Sequence, residues 1–100
     1  MDKYDVLMSP VAQSDLLCMF EYLATLVPEE AASYYERFMK ECEILRTAPK
    51  SCPLARDPQL CLRGYRILTT DDYLFFFVIC GSNVEILRIL HAKRRYDRLA

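Results

Sequence analysis

The chain has 100 residues, of which 53% are hydrophobic and 27% are charged, with two Gly and no Trp. This length suits one domain with a single core, and this composition excludes intrinsic disorder. The 13 basic and 14 acidic residues give a net charge of −1, which argues against a dedicated nucleic-acid binder. However, residues 1–43 hold nine acidic and three basic residues, whereas residues 44–100 hold five acidic and ten basic residues. The basic second part is therefore a candidate surface for an anionic target.

The five cysteines include no Cys-x-x-Cys pair, and His91 is the only histidine. This pattern predicts neither a disulfide framework nor a metal site, and it is typical of the reducing cytoplasm. We expect no cofactor, because the sequence contains no glycine-rich phosphate loop. The N-terminus lacks the apolar region of a signal peptide, and the longest apolar run, residues 73–80, is too short to span a membrane.

The first half of the chain predicts a strand followed by two helices. Residues 4–8 are an apolar stretch that suits a strand, and the Ser9-Pro10 pair after them is typical of a helix start. Apolar residues at helical spacing then predict one helix from Pro10 to about Leu26 and a second from Pro28 to about Ala48. Two amphipathic helices with so short a connection are expected to form an antiparallel hairpin.

The second half of the chain predicts strands. Residues 49–60 contain three prolines and suggest an irregular connection, after which the pattern predicts strands over 61–68, 73–79 and 84–90. Short turn-forming gaps favour an antiparallel meander. The middle strand is apolar on both faces, so we expect the helix hairpin on one face and either the basic tail, residues 91–100, or a partner on the other.

This order of elements resembles the RelE/ParE superfamily of toxins from bacterial type II toxin–antitoxin modules. Three stretches carry the resemblance: Leu7-Met8-Ser9-Pro10-Val11-Ala12 followed by Asp15-Leu16; Leu62-Arg63-Gly64-Tyr65-Arg66-Ile67 with Tyr73-Leu74-Phe75-Phe76; and the ending Leu90-His91-Ala92-Lys93-Arg94-Arg95-Tyr96 after an apolar strand. The resemblance implies one α+β domain over residues 1–100, of order β-α-α-β-β-β, with a helical hairpin packed on an antiparallel sheet.

The resemblance also implies a growth-inhibiting toxin that a cognate antitoxin neutralises. ParE-type members are directed at DNA gyrase, whereas RelE-type members are ribosome-dependent endoribonucleases that cleave mRNA. A ribonuclease needs a base, an acid and cations around the scissile phosphate. The residues that match those roles are Arg66, His91, Arg94 and Tyr96. Further basic residues that would contact a target are Arg63, Arg88, Lys93 and Arg95. On a strand over 61–68, Arg63 and Arg66 would lie on opposite faces unless a bulge near Gly64 changes the alternation.

Two leucines decide which branch of the superfamily is favoured. Leu68 and Leu74 stand where RelE-type members tend to have basic residues, so the ribonuclease set is incomplete on the sheet. We therefore favour a ParE-like action without nuclease chemistry. Two alternatives stay open: a RelE-like mRNA endoribonuclease, and a toxin-fold binding module that has lost activity. Whether the chain is an enzyme stays open with them.

Overall fold

A computed structural model describes residues 3–70 and 73–92. In chain order the elements are β1 (Asp5–Met8), α1 (Pro10–Leu26), α2 (Ala31–Thr47), a 3-10 turn (Pro49–Ser51), α3 (Pro58–Leu62), β2 (Arg66–Thr70), β3 (Tyr73–Cys80) and β4 (Asn83–His91). The expected α+β class is confirmed, with α3 as an additional short helix. Of the helices within the described ranges, none is both long and apolar enough to cross a membrane.

The strands of the described residues form one mixed sheet in the order β1-β4-β3-β2. Strands β2, β3 and β4 pair antiparallel in sequence order, which confirms the predicted meander. Strand β1 pairs in parallel with β4, and this pairing ends where Met8 meets Ile86. The apolar β3 is an interior strand, as predicted, and β4 is the other one. Strand β4 therefore runs through the middle of the sheet before the chain reaches its basic end.

The helix hairpin begins with a well-formed cap. Ser9 Oγ accepts a hydrogen bond from the Ala12 N–H at 3.0 Å, and Pro10 occupies the first turn of α1, as the Ser-Pro pair predicts. The predicted start of the second helix at Pro28 is wrong, because α2 begins at Ala31. Pro28 instead belongs to a tight turn, in which the Glu30 N–H donates to the carbonyl of Val27 at 2.9 Å.

The predicted strand over 61–68 is wrong at its start. Asp57 caps α3 by accepting hydrogen bonds from the N–H groups of Gln59 and Leu60, and Pro58 is the first residue of that helix. The helix ends before Gly64, whose φ of +80° is a left-handed conformation that glycine adopts without strain. Strand β2 starts only at Arg66 and continues to Thr70.

Apolar side chains fill both faces of the sheet. On one face, Phe75 and Phe77 are buried under the helix hairpin, and the ring of Phe38 from α2 lies 5.3 Å from that of Phe75. On the other face, Phe76 and Leu90 form a second cluster with Ala55 and Leu60. The segment 55–65, which includes α3, therefore packs on this face, which the sequence did not predict. The expectation that the tail or a partner covers it is not tested, because residues 93–100 lie outside the described residues.

Candidate functional site

An open groove lies between α1 and the end of the sheet from which the chain leaves β4. Its volume is about 480 Å³. The side chains that line it come from α1, β3 and β4: Asp15, Cys18, Met19, Tyr22, Tyr73, Ile89 and His91. The groove combines apolar and aromatic walls with a carboxylate, a thiol and an imidazole. It is the candidate functional site, because the sequence predicted functional residues at this end of β4.

His91 is the predicted site residue that the structure places in this groove. It is the last residue of β4 and pairs with Tyr73, the first residue of β3. The two rings meet edge to face, with centroids 5.2 Å apart and an interplanar angle of 79°. The imidazole therefore has an aromatic neighbour that restricts its orientation at the mouth of the groove.

Arg88 precedes the groove residue Ile89 in β4 and binds Asp15, a carboxylate of α1 that lines the groove. Its Nε donates to Asp15 Oδ2 at 2.8 Å, and its Nη2 donates to Oδ1 at 3.2 Å, a bidentate pair. This hydrogen bonding to Asp15 raises the pKa of Arg88 above its ordinary value. An anionic target would have to compete with Asp15 for this guanidinium.

Arg66 lies far from His91. Its Nη1 donates to the carbonyl of Cys52 at 2.7 Å and approaches that of Lys50 at 3.4 Å, so it fastens the loop before α3 to the sheet. Arg66 pairs with Phe77 of β3, whereas His91 pairs with Tyr73. Four residues along a strand correspond to about 13 Å. The structure therefore does not bring these two members of the predicted ribonuclease set together.

Five predicted site residues remain, of which the structure describes one, Arg63. Arg63 is exposed at the end of α3, on no strand, so the predicted relation of opposite strand faces between Arg63 and Arg66 is wrong. The four outside the described residues are Lys93, Arg94, Arg95 and Tyr96.

Sequence reasoning missed the role of Asp15, although a signal was present. Asp15 lies three positions after Ala12 and four before Met19, both buried, so it falls on the apolar face of α1. A carboxylate on such a face needs a partner. Arg88 interrupts the otherwise apolar residues 86–90 of β4. Each of these two charged residues in an apolar pattern therefore points to the other as its partner.

Comparison with known proteins identifies the family. The profile described as ParE toxin of type II toxin-antitoxin system, parDE, matches residues 6–96. The chain belongs to the ParE toxin family. No curated protein matches the chain.

Solved structures show the same fold as this ParE family member. A chain from the chromosomal ParDE TA system of P. aeruginosa is 20% identical, with a TM-score of 0.73 and coverage of 90% of this chain and 97% of that one. A chain from the toxin–antitoxin complex RelBE2 of Mycobacterium tuberculosis is 24% identical, with a TM-score of 0.55 and coverage of 93% and 97%.

The groove offers little to a metal ion. Within residues 3–70 and 73–92, no group of three or more His, Cys, Asp or Glu side chains is arranged to hold one. Asp15 is committed to Arg88 and to the backbone of β4. The described part of the site therefore supplies hydrogen bonding, aromatic contact, the thiol of Cys18 and the imidazole of His91.

Proposed function

We propose that this ParE family member is a growth-inhibiting toxin that acts without cleaving RNA, with DNA gyrase as its class of target. The observation that carries the proposal is the placement of Arg66. A ribonuclease would need this cation beside the scissile phosphate, together with the acid or base. Arg66 instead donates to the carbonyl of Cys52, about 13 Å along the strand direction from the level of His91.

The other groups of the sheet support the same proposal. Arg88 is bound to Asp15, and positions 68 and 74 are leucines. Leu68 is buried and belongs to the core under the helices, so it contributes packing where a nuclease would need charge. A toxin that works by binding a protein target has no need of a cation cluster on this part of the sheet.

We further propose that a cognate antitoxin binds this chain. Both solved relatives come from toxin–antitoxin systems, as their titles state. The helix hairpin exposes large apolar side chains: Leu17, Tyr22 and Leu26 on α1, and Tyr35 and Met39 on α2. Burial of such side chains against a partner segment that folds on binding would stabilise a complex.

The RelE-like alternative has one observation in its favour. His91 lines the groove at the point where the basic run of the sequence begins, beside Tyr73. An imidazole in an open groove is a suitable acid or base for attack by a ribose hydroxyl. In that case His91 would act with Arg94 and Tyr96, and with Arg66 only after a rearrangement of the loop that Arg66 holds.

Controlled expression of the chain in bacteria without its antitoxin tests the proposal. We expect growth arrest, intact transcripts by primer extension, and accumulation of gyrase-linked DNA breaks in a gyrase cleavage assay. The double variant His91→Ala, Arg94→Ala is the matched control, because it removes the candidate nuclease groups. If the wild-type chain cleaves transcripts and this variant does not, the RelE-like alternative replaces the proposal. If cells that express the wild-type chain grow normally, the chain is instead a toxin-fold binding module without activity.

A further inference from the structure

Strand β4 contains a bulge at Leu87. Phe77 of β3 pairs with Ile86 and Phe76 pairs with Arg88, so Leu87 is an extra residue in the β3–β4 ladder. The carbonyl of Leu87 is nevertheless satisfied, because Ser9 Oγ donates to it at 3.0 Å. The residue that caps α1 thus also binds the bulge.

The outer edge of β4 changes its partner at the same point. Strand β1 pairs with β4 only from Asn83 to Ile86. Beyond Ile86, the side facing away from β3 is bound by α1 instead: the Ile89 N–H donates to Asp15 Oδ2 at 3.0 Å. A carboxylate of a helix therefore takes the place of a neighbouring strand for the last part of β4.

Asp15 accepts hydrogen bonds from three donors at once. Two belong to the Arg88 guanidinium and one is the Ile89 N–H, and the Asp15 side chain is 17% exposed. Hydrogen bonds to an ionised acceptor contribute more than neutral ones. Two of the donors hold one side chain, and the third holds the backbone of the strand.

We propose that Asp15 is a positioning residue that fixes the end of β4, and with it His91 and the point where the basic run starts. The carboxylate accepts from the Ile89 N–H and from the Arg88 guanidinium. Movement of residues 88 and 89 away from α1 would therefore break all three hydrogen bonds. The effect on toxicity rests on the proposed function, whereas the effect on the strand end does not.

Amide hydrogen exchange of the ¹⁵N-labelled chain, followed by NMR, tests the structural part. In Asp15→Ala we expect exchange to accelerate about tenfold or more at Ile89, Leu90 and His91, because a hydrogen bond to a charged acceptor is lost. The amides of α2 should keep their relative protection. Glu21→Ala, which removes an exposed carboxylate from the same helix, is the matched control and should leave the exchange of these amides unchanged.

Two further variants separate backbone positioning from the ion pair. The charge swap Asp15→Arg, Arg88→Asp restores an ion pair but leaves no acceptor at position 15, so Ile89 should still exchange fast. Asp15→Asn keeps an acceptor oxygen and should retain part of the protection. Wild-type protection in the charge swap would overturn the proposal, as would a uniform acceleration of every amide in Asp15→Asn.

Growth assays at matched protein levels test the functional part. We expect Asp15→Ala and the charge swap to lose growth inhibition while Glu21→Ala keeps it. If a variant with fast amide exchange at the end of β4 still inhibits growth fully, the position of the strand end does not determine toxicity, and this part of the proposal is overturned. If the wild-type chain does not arrest growth, the proposed function fails, and the exchange experiment still decides the role of Asp15.

Discussion

Leu60 and Leu62 lie two residues apart, and truncation to alanine should destabilise the protein strongly at Leu60 and hardly at all at Leu62. On a strand the two side chains would share a face, whereas on a helix they point in different directions. The structure places both in α3, with Leu60 1% exposed and Leu62 89% exposed. Replacement of each by alanine therefore tests the helix that covers the second face of the sheet.

The cost of Leu60→Ala follows from what the side chain contacts. Leu60 belongs to a small cluster with Ala55, Phe76 and Leu90. The substitution removes the equivalent of three carbon groups, about 2.4 kcal/mol of transfer free energy, and leaves a cavity against Phe76. The free energy of unfolding should fall by about 3 kcal/mol, within the range measured for buried leucines, and the melting temperature by about 12 °C or more. Leu62→Ala should change it by less than about 0.5 kcal/mol.

Urea unfolding followed by circular dichroism, with the two variants and the wild-type chain side by side, supplies both numbers. A difference of about 2.5 kcal/mol or more between Leu60→Ala and Leu62→Ala is expected. Equal losses would show that the two side chains share one environment, which contradicts α3. A Leu60→Ala variant as stable as the wild type would mean that the segment 55–65 does not cover the sheet in solution.

Substitutions at three further positions are expected to give defined results. Ser9→Ala should cost about 2 kcal/mol in urea unfolding, because it removes both the cap of α1 and the donor to the Leu87 carbonyl, and Ser9→Thr should recover most of it. The thiol of Cys80 donates to Glu85, which raises the pKa of Cys80, so Glu85→Gln should speed its alkylation at pH 8, measured by mass spectrometry. Burial raises the pKa of Cys42 to about 11. The thiol of the unfolded chain therefore ionises at a lower pH than that of the folded chain, and the free energy of unfolding should fall as the pH rises from 9 towards 11. Cys42→Ala should flatten this decline, measured by urea unfolding at a series of pH values.

Local patterns predicted the elements whose signals are local. The cap of Ser9 on α1, the helical spacing of the hairpin and the apolar run of β3 are all carried by neighbouring residues. Helix α1 and strand β3 formed close to their expected bounds, whereas α2 begins three residues after the expected Pro28. Asp57 and Pro58 carry the same kind of start signal before α3. However, the residues after Pro58 alternate between apolar and polar side chains, and this pattern predicted a strand over 61–68 despite the helix-start signal. One turn of helix contains too few residues to show its period.

The position of β1 beside β4 could not be predicted from local patterns, because a parallel pair is joined by contacts between distant parts of the chain. Asp5 pairs with Asn83, and no turn or spacing between them specifies that register. The charge pattern contained one usable clue. A lone carboxylate on the apolar face of α1 and a lone guanidinium in an apolar strand each cost free energy when buried alone, so each predicts the other.

The Asp15–Arg88 pair also changes how the basic second half of the chain is interpreted. From the sequence alone, Arg88 and Arg66 are both candidates for contact with an anionic target. In the structure, Arg88 binds Asp15 and so joins β4 to α1, and Arg66 binds the loop before α3. The cations of the sheet therefore stabilise the scaffold. The basic residues left for an anionic target are, in the sequence, most concentrated immediately after β4. They follow directly on the strand end that Asp15 is proposed to fix.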